Sequence, residues 1–329
     1  MRALRQTSLA GPADLRLVTD APEPIPGPGE VLIRVTAAGV NFVDVSQARG
    51  TFAGGPKPPY IAGIEAAGEV LTGPSAGPDG GPTAGTHVVG VSVAGGAFAE
   101  RMVLPAAAVV PVPAGWAGEE ALGLLVNWPT ALAALRPIGG LTAGQTVLIH
   151  AAAGGTGQAA VRMAKHYGAT VIAAASPAKH DTVRALGADH VLDSRDPGLA
   201  AAVLDLTGGG TDLVLESVGG ATLEASLSAA KRVTGRVVLF GLAGGAASIT
   251  NWDLVYRHQV QIAGLNIGTL IQAAPQLFGE LMGELFGLIA AGVLGPAKPT
   301  VFGLADGPKA LAELEARATV GKLALRPGQ

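Results

Sequence analysis

From Thr146 onward the chain alternates short apolar runs with helix-type patterns, and no other feature narrows its possible folds as much. The runs are residues 147–151, 170–175, 190–192, 213–216, 236–240 and 260–264. Most are continuously apolar, as strands covered on both faces must be. Between them, residues 157–167, 178–186, 199–206 and 221–233 carry helical spacing, with Pro177 and Pro197 placed where helices begin. Right-handed crossovers make such strands parallel, so the expected fold class is α/β with a doubly wound, Rossmann-type sheet of six strands.

Directly after the first run the chain reads His150-Ala-Ala-Ala-Gly-Gly-Thr-Gly157, and a helical pattern follows. A dinucleotide fold needs a tight turn, a residue without a side chain where the backbone meets the diphosphate, and a small residue where the helix packs on the strand. Ala152, Gly154 and Gly157 occupy those places, with Gly155 and Thr156 between them. An ordinary strand-to-helix turn is the weaker alternative, because the motif sits between a strand and a helix. At the end of the second run, where an acid would grip the adenosine ribose, stands Ala175, followed by Ser176 and Lys179. A 2′-phosphate there meets a hydroxyl and an ammonium and no repelling carboxylate, which favours NADPH over NADH. Lys179 alone could equally be a solvated lysine, so the missing acid carries more of this inference.

Residues 1 to about 120 differ. Strand-like runs at 31–35, 69–71, 87–91 and 97–103 are separated by Gly/Pro clusters at 22–29 and 73–85, which suggests a mainly antiparallel domain. At the other end, residues 276–291 set Leu277, Phe278, Leu281, Met282, Leu285, Phe286 and Ile289 on one helical face, read as core. A capped helix at 306–317 and a strand at 322–325 follow, and this tail can return to the first domain. A length of 329 residues fits about two domains.

Cysteine is absent, which removes thiolate chemistry, disulfides and cysteine-based zinc sites. The six histidines form no spaced pair on an evident helix face, so no metal is expected. A net charge of −3 without like-charge runs gives nucleic acid or an anionic membrane little to attract. With no long apolar stretch and no signal-type segment, a soluble, cytoplasmic protein is expected.

Several stretches together are similar to the zinc-independent quinone oxidoreductases of the medium-chain dehydrogenase/reductase superfamily. They are Ala37-Ala-Gly-Val-Asn-Phe-Val-Asp44, Gly63-Ile-Glu-Ala-Ala-Gly68, Gly96-Ala-Phe-Ala-Glu100, the 147–157 segment, Leu186-Gly-Ala-Asp-His190, Ser217-Val-Gly-Gly220 and Gly321-Lys-Leu-Ala-Leu325. The resemblance implies a GroES-like catalytic domain from residues 1–122 and 266–329 around an NADPH-binding domain at 123–265. It also implies a homodimer formed through the cofactor domains, with 260–264 as the pairing edge. Zinc-dependent relatives carry Gly-His-Glu where this chain has Gly63-Ile64-Glu65, so Glu65 is read as structural.

By the same resemblance Asn41, Phe42 and Asp44 lie beside nicotinamide or substrate, and residues 49–52, ending in Phe52, in a substrate loop. Asn41 either donates its amide to a carbonyl oxygen or caps the turn after the 31–35 strand. Asp44 is expected to accept backbone hydrogen bonds more than to transfer protons. Thr130, Ser217, Val218, Phe240, Gly241, Leu242 and Lys322 are implied cofactor contacts, and Arg195 stands where relatives place a tyrosine near the 2′-phosphate. The loop Arg49-Gly-Thr-Phe52 lacks the tyrosine that many relatives carry, and Tyr60 is read as packing. Specificity is expected in loops at 50–59 and 265–274.

The implied activity is NADPH-dependent reduction of a quinone or related conjugated carbonyl by direct hydride transfer without a metal. An enoyl-thioester reductase of the same fold and a non-enzymatic NADPH-binding protein are the alternatives.

Overall fold

The computed structural model describes residues 1–73 and 81–328. Part of the Gly/Pro cluster at 73–85 therefore lies outside the described residues. The chain divides into two compact units, Met1–Val126 with Pro296–Gln329, and Asn127–Gly295.

The first part of unit one contains β1 (Ala3–Gln6), β2 (Leu15–Val18), β3 (Glu30–Val40), helix α1 (Phe42–Ala48), β4 (Tyr60–Ile61), β5 (Glu65–Thr72), β6 (His87–Val91), β7 (Arg101–Pro105) and β8 (Val109–Pro111). β3 is the hub. It pairs antiparallel with both β5 and β7, which brings distant segments of the chain together. Its first half alternates, with Val31, Ile33 and Val35 buried and Arg34 and Thr36 exposed; from Ala37 to Val40 every residue is buried. A period of two is what a strand with one wet face shows, and its loss marks where β3 enters the interior. The core around it holds Leu4, Phe98, Met102 and Leu104, all essentially inaccessible.

Unit two opens with α2 (Asn127–Leu135) and runs through β9 (Thr146–Ile149), α3 (Gly155–His166), β10 (Thr170–Ala175), α4 (His180–Ala185), β11 (His190–Asp193), α5 (Leu199–Thr207), β12 (Leu213–Glu216), α6 (Ala221–Ala229), β13 (Arg236–Leu239), β14 (Gln261–Gly264), α7 (Ile267–Ala273) and α8 (Pro275–Ala290). All five strand pairings are parallel, in the order β11-β10-β9-β12-β13-β14. The order reverses between β9 and β12. At such a switch point an open α/β sheet presents a crevice at the carboxyl ends of its strands. The chain then returns to unit one with β15 (Thr300–Gly303), α9 (Gly307–Glu315) and β16 (Leu323–Arg326), the last antiparallel to β3.

The α/β class, the six parallel strands and the mainly antiparallel first unit agree with the sequence reading. The division of the chain differs. Residues 266–295, expected with the catalytic domain, cluster with unit two because α8 packs on α2 and α7, and residues 123–126 cluster with unit one. The expected loop at 265–274 contains α7, whose N-cap residue Asn266 accepts a hydrogen bond from Thr269 N at 3.1 Å. On α8 the buried face is Leu281, Met282, Leu285 and Leu288, whereas Phe286 is 40% exposed. Asp306 precedes α9 without a capping bond from its side chain. Among the described residues no helix is long and apolar enough to cross a membrane.

Candidate functional site

In unit two the glycine loop joins β9 to α3. Ala151 takes a left-handed φ of 47°, and Gly154 N donates to Ala151 O at 2.9 Å, closing the turn. A Cβ on Gly157 would lie 2.4 Å from Ala151 O and 2.6 Å from Ala152 Cα. Only glycine lets α3 approach the strand end so closely, which is the packing role assigned to it from sequence. No side chain caps the N-terminus of α3 at Gly154. Asn127 lies alongside, its Nδ2 donating to Thr156 Oγ1 at 3.1 Å.

Ala175 and Asp193 are register partners at the ends of β10 and β11, so Ser176, Lys179 and Arg195 follow neighbouring strand ends. His180 Nε2 lies 3.0 Å from Ala175 O and ties α4 to the same corner. Arg195 is exposed, with its backbone N donating to Asp193 Oδ1 at 2.9 Å. On the other side of β9, Glu216 and Leu239 are register partners of β12 and β13. Beyond them, a Cβ on Gly241 would meet Ser217 O at 2.4 Å, so the segments carrying Ser217, Val218, Phe240, Gly241 and Leu242 run close together. Thr130 is buried within α2.

Beneath these strand ends lies a polar cluster that the sequence reading missed. Glu216 is completely buried, and its Oε1 accepts from Val218 N at 2.5 Å and Gly219 N at 2.9 Å. Its Oε2 accepts from Ser226 Oγ, which also lies 3.0 Å from His150 Nε2. Burial holds the His150 imidazole below its usual range, with the Glu216 charge opposing. Serine, histidine and glutamate are the residue types of a hydrolase triad. Here the hydroxyl stands between the other two and is sealed from solvent, so it braces the 217–219 turn and attacks nothing. A lone acid ending an otherwise apolar strand was the available sequence signal.

Unit one holds a second cluster. Glu65 is fully buried, and its Oε2 is 2.7 Å from Lys322 Nζ and accepts from Asn41 Nδ2 at 3.0 Å, while its Oε1 accepts from Gly123 N at 2.6 Å. Lys322 also donates to Asn41 Oδ1 at 2.6 Å. A Cβ on Gly39 would fall 2.2 Å from Glu65 Oε2, so the strand must lack a side chain there. Asp44 accepts from Asn41 N at 2.7 Å and Ile64 N at 3.2 Å, the backbone role expected for it. Burial pushes its carboxyl up to about 7, and Glu65 adds to this against both N–H donors and the Lys322 ammonium.

For Asn41 the structure modifies both sequence readings. It is the N-cap residue of α1, yet the bond at this end runs from its backbone N–H to the Asp44 carboxylate, and its own side chain makes no cap bond. The amide that would serve a substrate carbonyl donates to Gly39 O and Glu65. Phe42 packs on the unit-one core, Phe52 is half-buried, and Arg49 is held by a two-pronged pair with Glu315. Tyr60 also packs on that core; burial and the Asp44 charge push its hydroxyl up to about 12. Among the described residues no three His, Asp or Glu side chains gather as a metal site.

Comparison with known proteins gives a consistent neighbourhood. Residues 27–114 match the family model of the alcohol dehydrogenase GroES-like domain, and residues 155–283 that of zinc-binding dehydrogenase. Erythronolide synthase EryA2 of Saccharopolyspora erythraea is 38% identical over 305 residues, covering 90% of this chain; the chain spans only 8% of that relative's length. The quinone oxidoreductase of Pseudomonas syringae pv. Tomato DC3000 superposes with a TM-score of 0.90 at 33% identity, covering 99% of this chain and 100% of that one. The Escherichia coli quinone oxidoreductase, solved with NADPH, gives a TM-score of 0.89 at 29% identity, with 99% and 100% covered.

Proposed function

The chain belongs to the quinone oxidoreductase family of the medium-chain dehydrogenase/reductase superfamily, and on that premise we propose that it is an NADPH-dependent reductase of quinones or related conjugated carbonyls that works without a metal. The observation that carries the reading is the glycine loop. Gly157 admits α3 to the strand end, and no side chain caps the helix at Gly154, so its first-turn N–H groups suit a diphosphate. Ala152, Gly154, Gly155, Thr156 and Gly157 are proposed to hold that diphosphate. Ser176, Lys179 and Arg195 take the 2′-phosphate, and Thr130, Ser217, Val218, Phe240, Gly241 and Leu242 serve the nicotinamide half.

NADPH supplies a hydride from its nicotinamide C4 when bound. The chain's own residues position the reactants, keep water out and stabilise charge developing on the acceptor oxygen. In unit one Asn41, Phe42, Asp44 and Phe52 are proposed as the substrate-side residues. There Asn41 is held by Lys322 and Glu65, so Lys322 enters as an orienting residue. Ile64 and the lack of cysteine support zinc independence, because the family's metal ligands have no counterpart here.

Homodimerisation through unit two at the edge strand β14 and a cytoplasmic location belong to the same proposal. A second reading, an enoyl-thioester reductase, is favoured by the likeness to the solved CurK enoyl reductase, 27% identical with a TM-score of 0.86. The test is oxidation of NADPH and NADH followed by absorbance with a benzoquinone, a naphthoquinone, phenanthrenequinone and an enoyl thioester, with and without a chelator. Quinone-dependent, chelator-insensitive NADPH oxidation is expected; turnover of the thioester alone transfers the assignment to the second reading. Tight NADPH binding with no turnover supports a non-enzymatic role. Lys179→Glu is expected to raise the KM for NADPH more than that for NADH, and an unchanged ratio removes Lys179 from the 2′-phosphate site.

A further inference from the structure

Asn127 begins α2 next to the glycine loop, and only one end of its amide is used. Nδ2 donates to Thr156 Oγ1, and a Cβ built on Gly155 would be 3.5 Å from the amide oxygen and carbon. Oδ1 is closed off from solvent and accepts no hydrogen bond. A buried acceptor without a donor carries its full desolvation penalty, so such a group in a native structure calls for a reason.

The surroundings of α2 show which half of a dinucleotide could supply the donor. The turn after α2 lies on the β12–β13 side of the sheet: Arg236 of β13 donates to Ile138 O at 3.1 Å, and a Cβ on Gly139 would meet Leu213 of β12 at 2.9 Å. Leu213 and Arg236 are the first residues of their strands. α2 has nine residues, about 13 Å of helix, so its other end reaches the carboxyl ends of the strands. In a doubly wound sheet the diphosphate sits at the glycine loop and the adenosine ribose at the end of the second strand, here β10. Asn127 therefore faces away from the adenosine half. The diphosphate only accepts hydrogen bonds, so it leaves Oδ1 unsatisfied. The nearest donors beyond it are the hydroxyls of the second ribose.

We propose that Asn127 Oδ1 accepts a hydrogen bond from a hydroxyl of the nicotinamide-side ribose, making Asn127 a cofactor-contacting residue. The inference rests on the dinucleotide reading given above and refines it. Its test compares two ligands by equilibrium titration, NADPH and 2′,5′-ADP, the latter carrying the adenosine and 2′-phosphate without the nicotinamide riboside.

Asn127→Leu is expected to weaken NADPH about tenfold, the effect of one neutral hydrogen bond, and to leave 2′,5′-ADP within about twofold of wild type. Asn127→Ala reads the same contact should the leucine variant fail to fold. Unchanged NADPH affinity, or equal losses for both ligands, overturns the assignment, the second pattern meaning that Asn127 only shapes the loop through Thr156. Wild-type protein that binds neither ligand overturns the dinucleotide reading as a whole, which separates that failure from failure of the Asn127 assignment alone.

Discussion

Glu65 in unit one and Glu216 in unit two are both fully buried, and the two units hold them in contrasting ways. Glu65 faces the Lys322 ammonium at 2.7 Å, with Asn41 and Gly123 N completing its shell. Glu216 is held by neutral donors, two backbone N–H groups and the Ser226 hydroxyl. A buried charge can be kept by a counter-charge or by dipoles fixed in place. The first depends on one partner, while the second spreads the same task over several groups, each worth less.

Removing the single partner should therefore do the most damage. Lys322→Met, which leaves buried Glu65 without a counter-charge, is expected to cost about 3–5 kcal/mol in urea denaturation. Adding Glu65→Gln should recover part of that loss; a loss below about 1 kcal/mol for the single variant would show that the ion pair is not what holds Glu65.

The unit-one cluster also contains a titrating member, Asp44, raised from 3.8 to about 7. Because the folded state binds this proton more tightly, the associated stability is complete below about pH 4 and is lost as pH rises through 7. The shift corresponds to roughly 4 kcal/mol at about 1.4 kcal/mol per pH unit. Asp44→Asn should accordingly be less sensitive than wild type to raising pH from 5 to 8 in the same assay. Parallel curves would remove Asp44 from the account.

Ser226→Ala tests the dipolar arrangement. It withdraws one of three donors from Glu216, and about 1–3 kcal/mol is expected. A cost exceeding that of Lys322→Met would invert the comparison.

The same contrast governs what could be read from sequence. The parallel sheet was legible because buried strands such as Val147–Leu148–Ile149 are continuously apolar and a glycine loop follows at once. The short strands β1, β2, β4, β8 and β15 were not, since β1, β2 and β15 mix polar and apolar residues over four positions and β4 and β8 span only two and three. α7 escaped because Asn266 and Gly268 look like loop residues, although Asn266 is its N-cap. Asp44 as a backbone acceptor was foreseeable from its position after Asn41. The pairing of Lys322 with Glu65 was not, because a charge in sequence does not announce a partner on a distant strand. Ser226 likewise reads as an ordinary helical serine until α6 is packed on the sheet.

Lys322 and Asn41 are 281 residues apart, yet they belong to one cluster, and β16 beside Lys322 pairs with β3. On a ribosome adding about 5–20 residues per second, the interval between them is roughly 15–60 s. Throughout that time Glu65 has no ammonium to face and β3 lacks one of its neighbours. Unit two, contiguous from Asn127 to Gly295, has all its strands before the counter-charge emerges. The half of the molecule that leaves the ribosome first is thus the last to close, and until residues 296–329 emerge its sheet lacks the strands that complete it.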